Sequence, residues 1–190
     1  VAAGSSPVPH TPAARLAELR RTGTTTSEAL AFYDSLAPVP LEQLRGTWRG
    51  DELRTGHPLD GVLQRLGWYG KRFDSPEDSH PLLFEDTNGG VVAIDPRFVP
   101  LPVVRRWPRL LAHPATVRSF RTVLPLLRTR RPKARLVMAE YRSVATATMF
   151  YDRLPVSDAF RWVDDHTVLG AMWMRGMAGT YFFVLRRVDA

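Results

Sequence analysis

Five short β-rich runs fill the last third of the chain and leave room for little else: Arg135 to Tyr141, Val144 to Tyr151, Ala159 to Asp164, Val168 to Met174 and Thr180 to Arg187. Turns at Arg142-Ser143, Leu154-Pro155, Asp165-His166 and Gly176 to Gly179 separate them. No helix-patterned segment intervenes, and strands joined by such short turns can pair only as antiparallel neighbours. Four earlier segments read the same way: the run through Trp48, then Trp68 to Asp74, Pro81 to Asp86 and Val91 to Asp95. The last two flank Thr87-Asn88-Gly89-Gly90, a hairpin turn because Asn-Gly accepts positive φ at both central positions. The expectation is a mainly β chain, a meander of about nine strands closing on itself. A barrel of that size encloses just enough space for side chains or one small ligand.

Helices are expected at the front of the chain and in its middle. Thr11 as N-cap, Pro12 at the first helical position and Gly23 at the exit frame one helix carrying Leu16 and Leu19. Thr25 and Glu28 form a capping box for a second, whose Leu30, Phe32, Tyr33 and Leu36 need cover from solvent. This pair is expected against the outside or the end of the barrel. Leu59, Val62, Leu63 and Leu66, stopped by Gly67, give a short amphipathic helix that serves as plug or lid. Seven prolines interrupt residues 96–133, which hold two further short helices, Val103 to Leu111 and Thr116 to Leu127. Residues 1–10 carry no periodicity and read as a disordered leader; residues 11–190, at 44% hydrophobic content overall, suffice for a single barrel domain.

The formal net charge of +7 permits contact with phosphates, yet 24 of the 26 cations are arginines, which points to a compositional bias. The densest cluster, Arg128 to Arg135, is expected to be a solvated loop. Nucleic-acid binding is not expected, and weak contact with an anionic membrane is the most that the charge suggests. With no cysteine there is neither disulfide nor thiolate metal site; the five histidines lack ligand spacing, so no metal or organic cofactor is expected. No apolar run is long enough for a membrane helix, and the default location is cytoplasmic.

Strand alternation separates lumen from wall. Phe160 and Trp162 face inward and Arg161 outward. Val168, Gly170, Met172 and Met174 oppose Leu169, Ala171 and Trp173, and since both sets are apolar one of them needs cover from the N-terminal helices; which set is the lumen stays open. If Leu136 and Met138 face inward, Glu140 is an inward carboxylate, and its desolvation requires an ion pair, a proton or a ligand. The candidate ligand-binding residues are therefore Trp68, Met138, Phe160, Trp162, Met172, Met174, Tyr181 and Phe183, with methionine suited to an adaptable cavity. The candidate catalytic groups are Glu140 as acid, with Tyr141 and Tyr151 as hydroxyls if the facing is off by one.

Upstream stands Gly46-Thr47-Trp48-Arg49-Gly50. Gly46 allows a close approach or an unusual backbone angle, Trp48 is large enough to plug one end of a barrel, and Gly50 lets the strand bend. This Gly-x-Trp-x-Gly stretch resembles the GXWXG family, and Met149 to Asp164 resembles its second half, DUF4334; together the matches span about residues 40 to 187. The resemblance implies a lipocalin-like (calycin-like) barrel that binds a hydrophobic small molecule or lipid. Asp152, Asp158, Asp164 and Asp165 match the family pattern and read as turn-makers. Trp173 stands where the family pattern carries an acid. A closed end implies an arginine of the final strand, Arg186 or Arg187, beside the Trp48 indole. An enzyme that cyclises or isomerises an apolar, polyketide-like substrate by confinement and a general acid is the alternative reading.

Overall fold

The computed structural model describes residues 11–188 other than Asn88, so the leader and the first central residue of the expected hairpin turn lie outside the described residues. The ten strands are β1 (Ala37–Pro38), β2 (Gly46–Leu53), β3 (Trp68–Phe73), β4 (Ser79–Glu85), β5 (Val91–Ala93), β6 (Ala134–Tyr141), β7 (Val144–Tyr151), β8 (Val156–Asp164), β9 (Thr167–Met174) and β10 (Tyr181–Arg187). All pairings are antiparallel. Following hydrogen-bonded neighbours gives β8-β7-β6-β4-β3-β2-β10-β9, and β9 returns to β8, so eight strands close the wall. The expectation of about nine is corrected here: β5 pairs only with β4, and the two-residue β1 sits on β8, both off the closed path.

The wall is uneven. β6 and β7 pair along their whole length, whereas β4 meets β6 through one residue pair, Ser79 and Ala134. Beyond that pair β4 turns to β5, and the insertion between β5 and β6 completes the core. This insertion contains α4 (Leu101–Arg106), α5 (Pro108–Leu111) and α6 (Pro114–Val123), with 3-10 turns at Pro96–Phe98 and Leu124–Leu127. Prolines at the head of each helix set the breaks between them. Val104 and Leu124 join the same apolar cluster as Phe84 and Leu136, and Phe120 packs edge-on to Phe84 at 5.1 Å. The short helix α3 (Val62–Leu66) runs between two glycines in the left-handed region.

The helices α1 (Pro12–Thr22) and α2 (Thr26–Ser35) carry the expected caps: Thr11 accepts from the Ala14 N–H, and Thr25 with Glu28 closes a capping box. They cover the outer face of the barrel. A second cluster of Leu16, Leu19, Phe32, Tyr33 and Leu36 packs on Ala159, Leu169, Ala171, Phe182 and Val184. That leaves Val168, Met172 and Met174 facing inward with Phe160, Tyr181 and Phe183, and resolves which face of β9 is the lumen. Arg161 faces outward beneath α2, where it donates to the Leu36 carbonyl and stacks over Tyr33. Trp173 also faces outward and is exposed.

The residues of the Gly-x-Trp-x-Gly stretch divide the work at one end of the barrel. Gly46 sits at φ +93° with open space beside it, so its requirement is the backbone angle alone. Trp48 is fully buried, its indole 6.2 Å from Trp162 and 4.4 Å beneath the Arg187 guanidinium, as the closed-end reading expected. Arg187 is the register partner of Trp48 and also donates to the carbonyls of Arg45 and Gln43. Gly50 has a role other than bending the strand: a β-carbon there would overlap the Trp68 ring, which lies flat on β2.

Candidate functional site

Inside the barrel a lysine points into an apolar interior. Lys71 on β3 is 2% exposed, and its Nζ lies 2.8 Å from Oδ2 of Asp158 on β8. The same ammonium donates to the Pro81 carbonyl at 3.1 Å and to the Tyr151 hydroxyl at 3.0 Å. Three rings surround it: Phe183 at 5.0 Å, Tyr151 at 5.3 Å and Trp68 at 5.8 Å from Nζ to ring centre. A buried ammonium needs compensation for lost hydration, and here a carboxylate, two oxygens and aromatic faces supply it. Burial nonetheless holds the Lys71 ammonium below the usual lysine range, against the pull of Asp158.

The chain reaches this arrangement through a bulge. Strict alternation from Trp68 would send Lys71 to the opposite face, but the β3–β4 register shifts on both sides of Gly70. Gly70 lies at φ +148° with the Trp48 carbonyl so close that a side chain has no room. Trp68, Lys71 and Phe73 all turn inward, while Tyr69 turns out beneath Arg49.

Asp158 is fully buried, with its Oδ2 against the Lys71 ammonium at 2.8 Å and the Tyr151 hydroxyl as a second hydrogen-bonding neighbour. The Tyr151 hydroxyl is close enough for burial and then the Asp158 charge to push its ionisation well above the ordinary tyrosine range. The Trp68 indole N–H, also buried, has no acceptor among the described residues. The Trp68 N–H is thus a spare donor within the same buried group as Lys71 and Asp158.

A second polar group closes the lumen on the α3 side. The Tyr181 hydroxyl donates to Oε1 of Glu52 at 2.9 Å, and Oε2 accepts from the Gly61 N–H at 2.7 Å. Burial, then the Glu52 charge, raises the Tyr181 ionisation well above its usual range. His57 packs 5.5 Å from the Tyr181 ring, its Nδ1 accepting from the Leu59 N–H, and burial lowers its basicity. Stacking of Tyr181 on Phe183 links the two groups.

Most of the expected lining residues meet here. Trp68, Phe160, Met172, Met174, Tyr181 and Phe183 are buried in the lumen, with Trp162 half-buried at the Trp48 end. Met138 and Glu140 are corrections. They share the inward parity of Leu136, but this end of β6 runs past the barrel, and both are exposed, so Glu140 is not an inward carboxylate. Tyr141 is corrected too: it lies outside, edge-on to Tyr33, with its hydroxyl 3.4 Å from Thr180. Of the three candidate catalytic groups only Tyr151 enters the lumen.

Lys71, Asp158, Glu52 and His57 went unrecognised in the sequence. Asp158 had a signal, because the alternation that turns Phe160 and Trp162 inward turns Asp158 inward as well; reading it as a turn residue concealed it. Lys71 had a weaker one, as one of two lysines among 26 cations. No group of three or more histidine or acidic residues suited to a metal occurs among the described residues.

Residues 31–89 match the model of the GXWXG protein family, and residues 132–187 match the domain of unknown function DUF4334. The chain thus contains a GXWXG region and a DUF4334 region. The first match carries Trp48, Trp68 and Lys71, and the second carries Tyr151, Asp158 and Tyr181, so the polar group is assembled from both. A crystal structure of a protein from Thermomonospora curvata is similar at 29% identity and a TM-score of 0.68, over 94% of this chain and 99% of that one. No functionally curated protein matches the chain.

Proposed function

We propose that the protein binds an apolar small molecule in the barrel lumen and orients it through a neutral hydroxyl or similar head group at Asp158, Lys71 and Tyr151. The lipocalin-like character expected from the sequence is part of this proposal, as is a cytoplasmic setting. The observation that carries it is an unpartnered Trp68 N–H beside the buried Lys71–Asp158 pair in an apolar interior. Buried polar groups are normally satisfied, so such a donor marks a place for a ligand or water. Lys71 and Asp158 offset each other's charge, which favours a neutral head group over a carboxylate. The rings of Trp68, Phe160 and Phe183 fill the space between strands, and Met172 and Met174 supply side chains able to repack around a guest. The single-pair seam between β4 and β6 is the part of the wall most easily opened.

Tyr151 and Tyr181 are suited to binding rather than to proton transfer. A general acid works best with an ionisation near the working pH. Burial and the neighbouring carboxylates move Tyr151 and Tyr181 away from it, leaving them as hydrogen-bond donors.

The test is titration with matched apolar compounds that differ by one hydroxyl, read by tryptophan emission and by melting temperature. A hydroxyl that donates to a buried carboxylate contributes about 1.5 to 3 kcal/mol, so the hydroxylated partner should bind about 10- to 100-fold tighter. Asp158→Asn should reduce that preference. If no compound of either kind alters emission or melting, the lumen is a solid core and the proposal fails.

A further inference from the structure

From Pro96 to Ala139 the chain contains no acidic residue, yet it holds ten arginines and one lysine. The rest of the sequence has 15 cations against 19 acidic residues, so the whole positive excess lies on the β5–β6 insertion and the strand that follows it. Arg128 and Lys133 are paired with Asp86 and Asp95. Arg109, Arg118, Arg121, Arg130 and Arg131 form no ion pair among the described residues and are exposed. The insertion also exposes large apolar side chains: Leu126 at 81%, Trp107 and Leu110 at 55% each, and Val123 at 41%. Its inner side packs on the barrel core through Val104, Phe120 and Leu124, and these groups stay outside that cluster.

We infer that the α4–α6 insertion docks on the surface of a bilayer rich in anionic phospholipid. Arginine forks bind lipid phosphates through paired charge-assisted hydrogen bonds, and a cationic surface concentrates on a negative leaflet. Leucine, valine and tryptophan exposed on the same insertion enter the boundary between head groups and acyl chains, where tryptophan is favoured. The aliphatic component decides between anionic partners. A nucleic-acid backbone would use the arginines but gain nothing from an exposed Leu126 or Leu110. Among the described residues no helix is long and apolar enough to cross a membrane, so the contact is peripheral. This inference rests on the outer surface of the insertion and stands apart from the lumen proposal.

The experiment is co-sedimentation of the full chain with vesicles of phosphatidylcholine alone or mixed with phosphatidylglycerol. Binding is expected only with phosphatidylglycerol present, and at least about tenfold weaker in high salt, because exposed charges are screened. Leu126→Asp and the pair Trp107→Ala/Leu110→Ser should each weaken it about tenfold, and Arg118→Ser/Arg121→Ser should remove the preference for phosphatidylglycerol. Arg21→Ser, on exposed α1, should leave binding unchanged. All these positions are exposed, and melting temperature verifies the fold. No sedimentation with either vesicle, or equal sedimentation with both, overturns the inference. So does competition by duplex DNA that binds the Leu126→Asp variant as well as the parent, which would make the surface a nucleic-acid site.

Discussion

Replacing Lys71 with Met is the perturbation that most directly probes the barrel's interior. Met preserves most of the stem volume and removes the ammonium, which leaves Asp158 buried with no cation in contact; its side chain is fully buried and that of Lys71 is 3% exposed. Removing one member of a buried pair costs about 3 to 5 kcal/mol, chiefly the penalty of the abandoned charge. That is a large part of a typical domain's stability of about 5 to 15 kcal/mol. Lys71→Met/Asp158→Leu removes both charges, and buried pairs replaced by apolar residues of similar volume are often neutral or more stable. The double variant should therefore return to within about 1 kcal/mol of the parent or exceed it. Urea unfolding of parent, both single variants and the double variant gives the coupling directly. A cost below about 1 kcal/mol for Lys71→Met, or a double variant no better than the single one, would refute a dry, tightly coupled pair. In the ligand titrations the double variant should still bind apolar compounds but lose the preference for the hydroxylated member. Stability and head-group recognition would then separate, the outcome expected of a pair retained for function.

Gly50→Ala should destabilise by about 1 kcal/mol or more, because overlap with the Trp68 ring outweighs the entropy gained by replacing glycine; a stabilised variant would mean that Trp68 does not pack on β2. Glu140→Gln, at an exposed site, should change stability by less than about 0.5 kcal/mol and leave ligand titrations as they were; a larger change in either would return Glu140 to the lumen. Burial lowers the basicity of both His57 and His80. As pH falls past about 6.5 the unfolded chain takes up these protons before the folded one, so stability is held above that pH and declines below it toward the lowered folded values. His57→Asn, which can still accept from the Leu59 N–H, should flatten part of that decline in melting temperature between about pH 7 and 5, and an unchanged slope would assign the decline to other groups.

What could be read in the sequence followed from local rules that the fold leaves undisturbed. The caps at Thr11 and Thr25 form as expected because they depend on neighbouring backbone alone. Alternation turned Phe160 inward as expected because β8 pairs in regular register where that residue stands. The same rule failed in two places for opposite reasons. On β6 the parity of Glu140 is right, but the strand outruns the barrel, and parity carries no information about where a wall ends. On β3 the parity of Lys71 is wrong, because a bulge at Gly70 inserts a step that the pattern cannot display without knowledge of the Trp48 carbonyl across the strand pair. The site depends on that second failure: a lysine can be held among Trp68, Tyr151 and Phe183 only if the strand breaks its own rhythm to turn both Trp68 and Lys71 inward. Gly70 thus joins Gly50 as a position defined by Trp48 and Trp68. The Gly-x-Trp-x-Gly signature therefore borders the site as well as closing one end of the barrel, since the Trp48 carbonyl lies against Gly70 at the bulge that turns Lys71 toward Asp158.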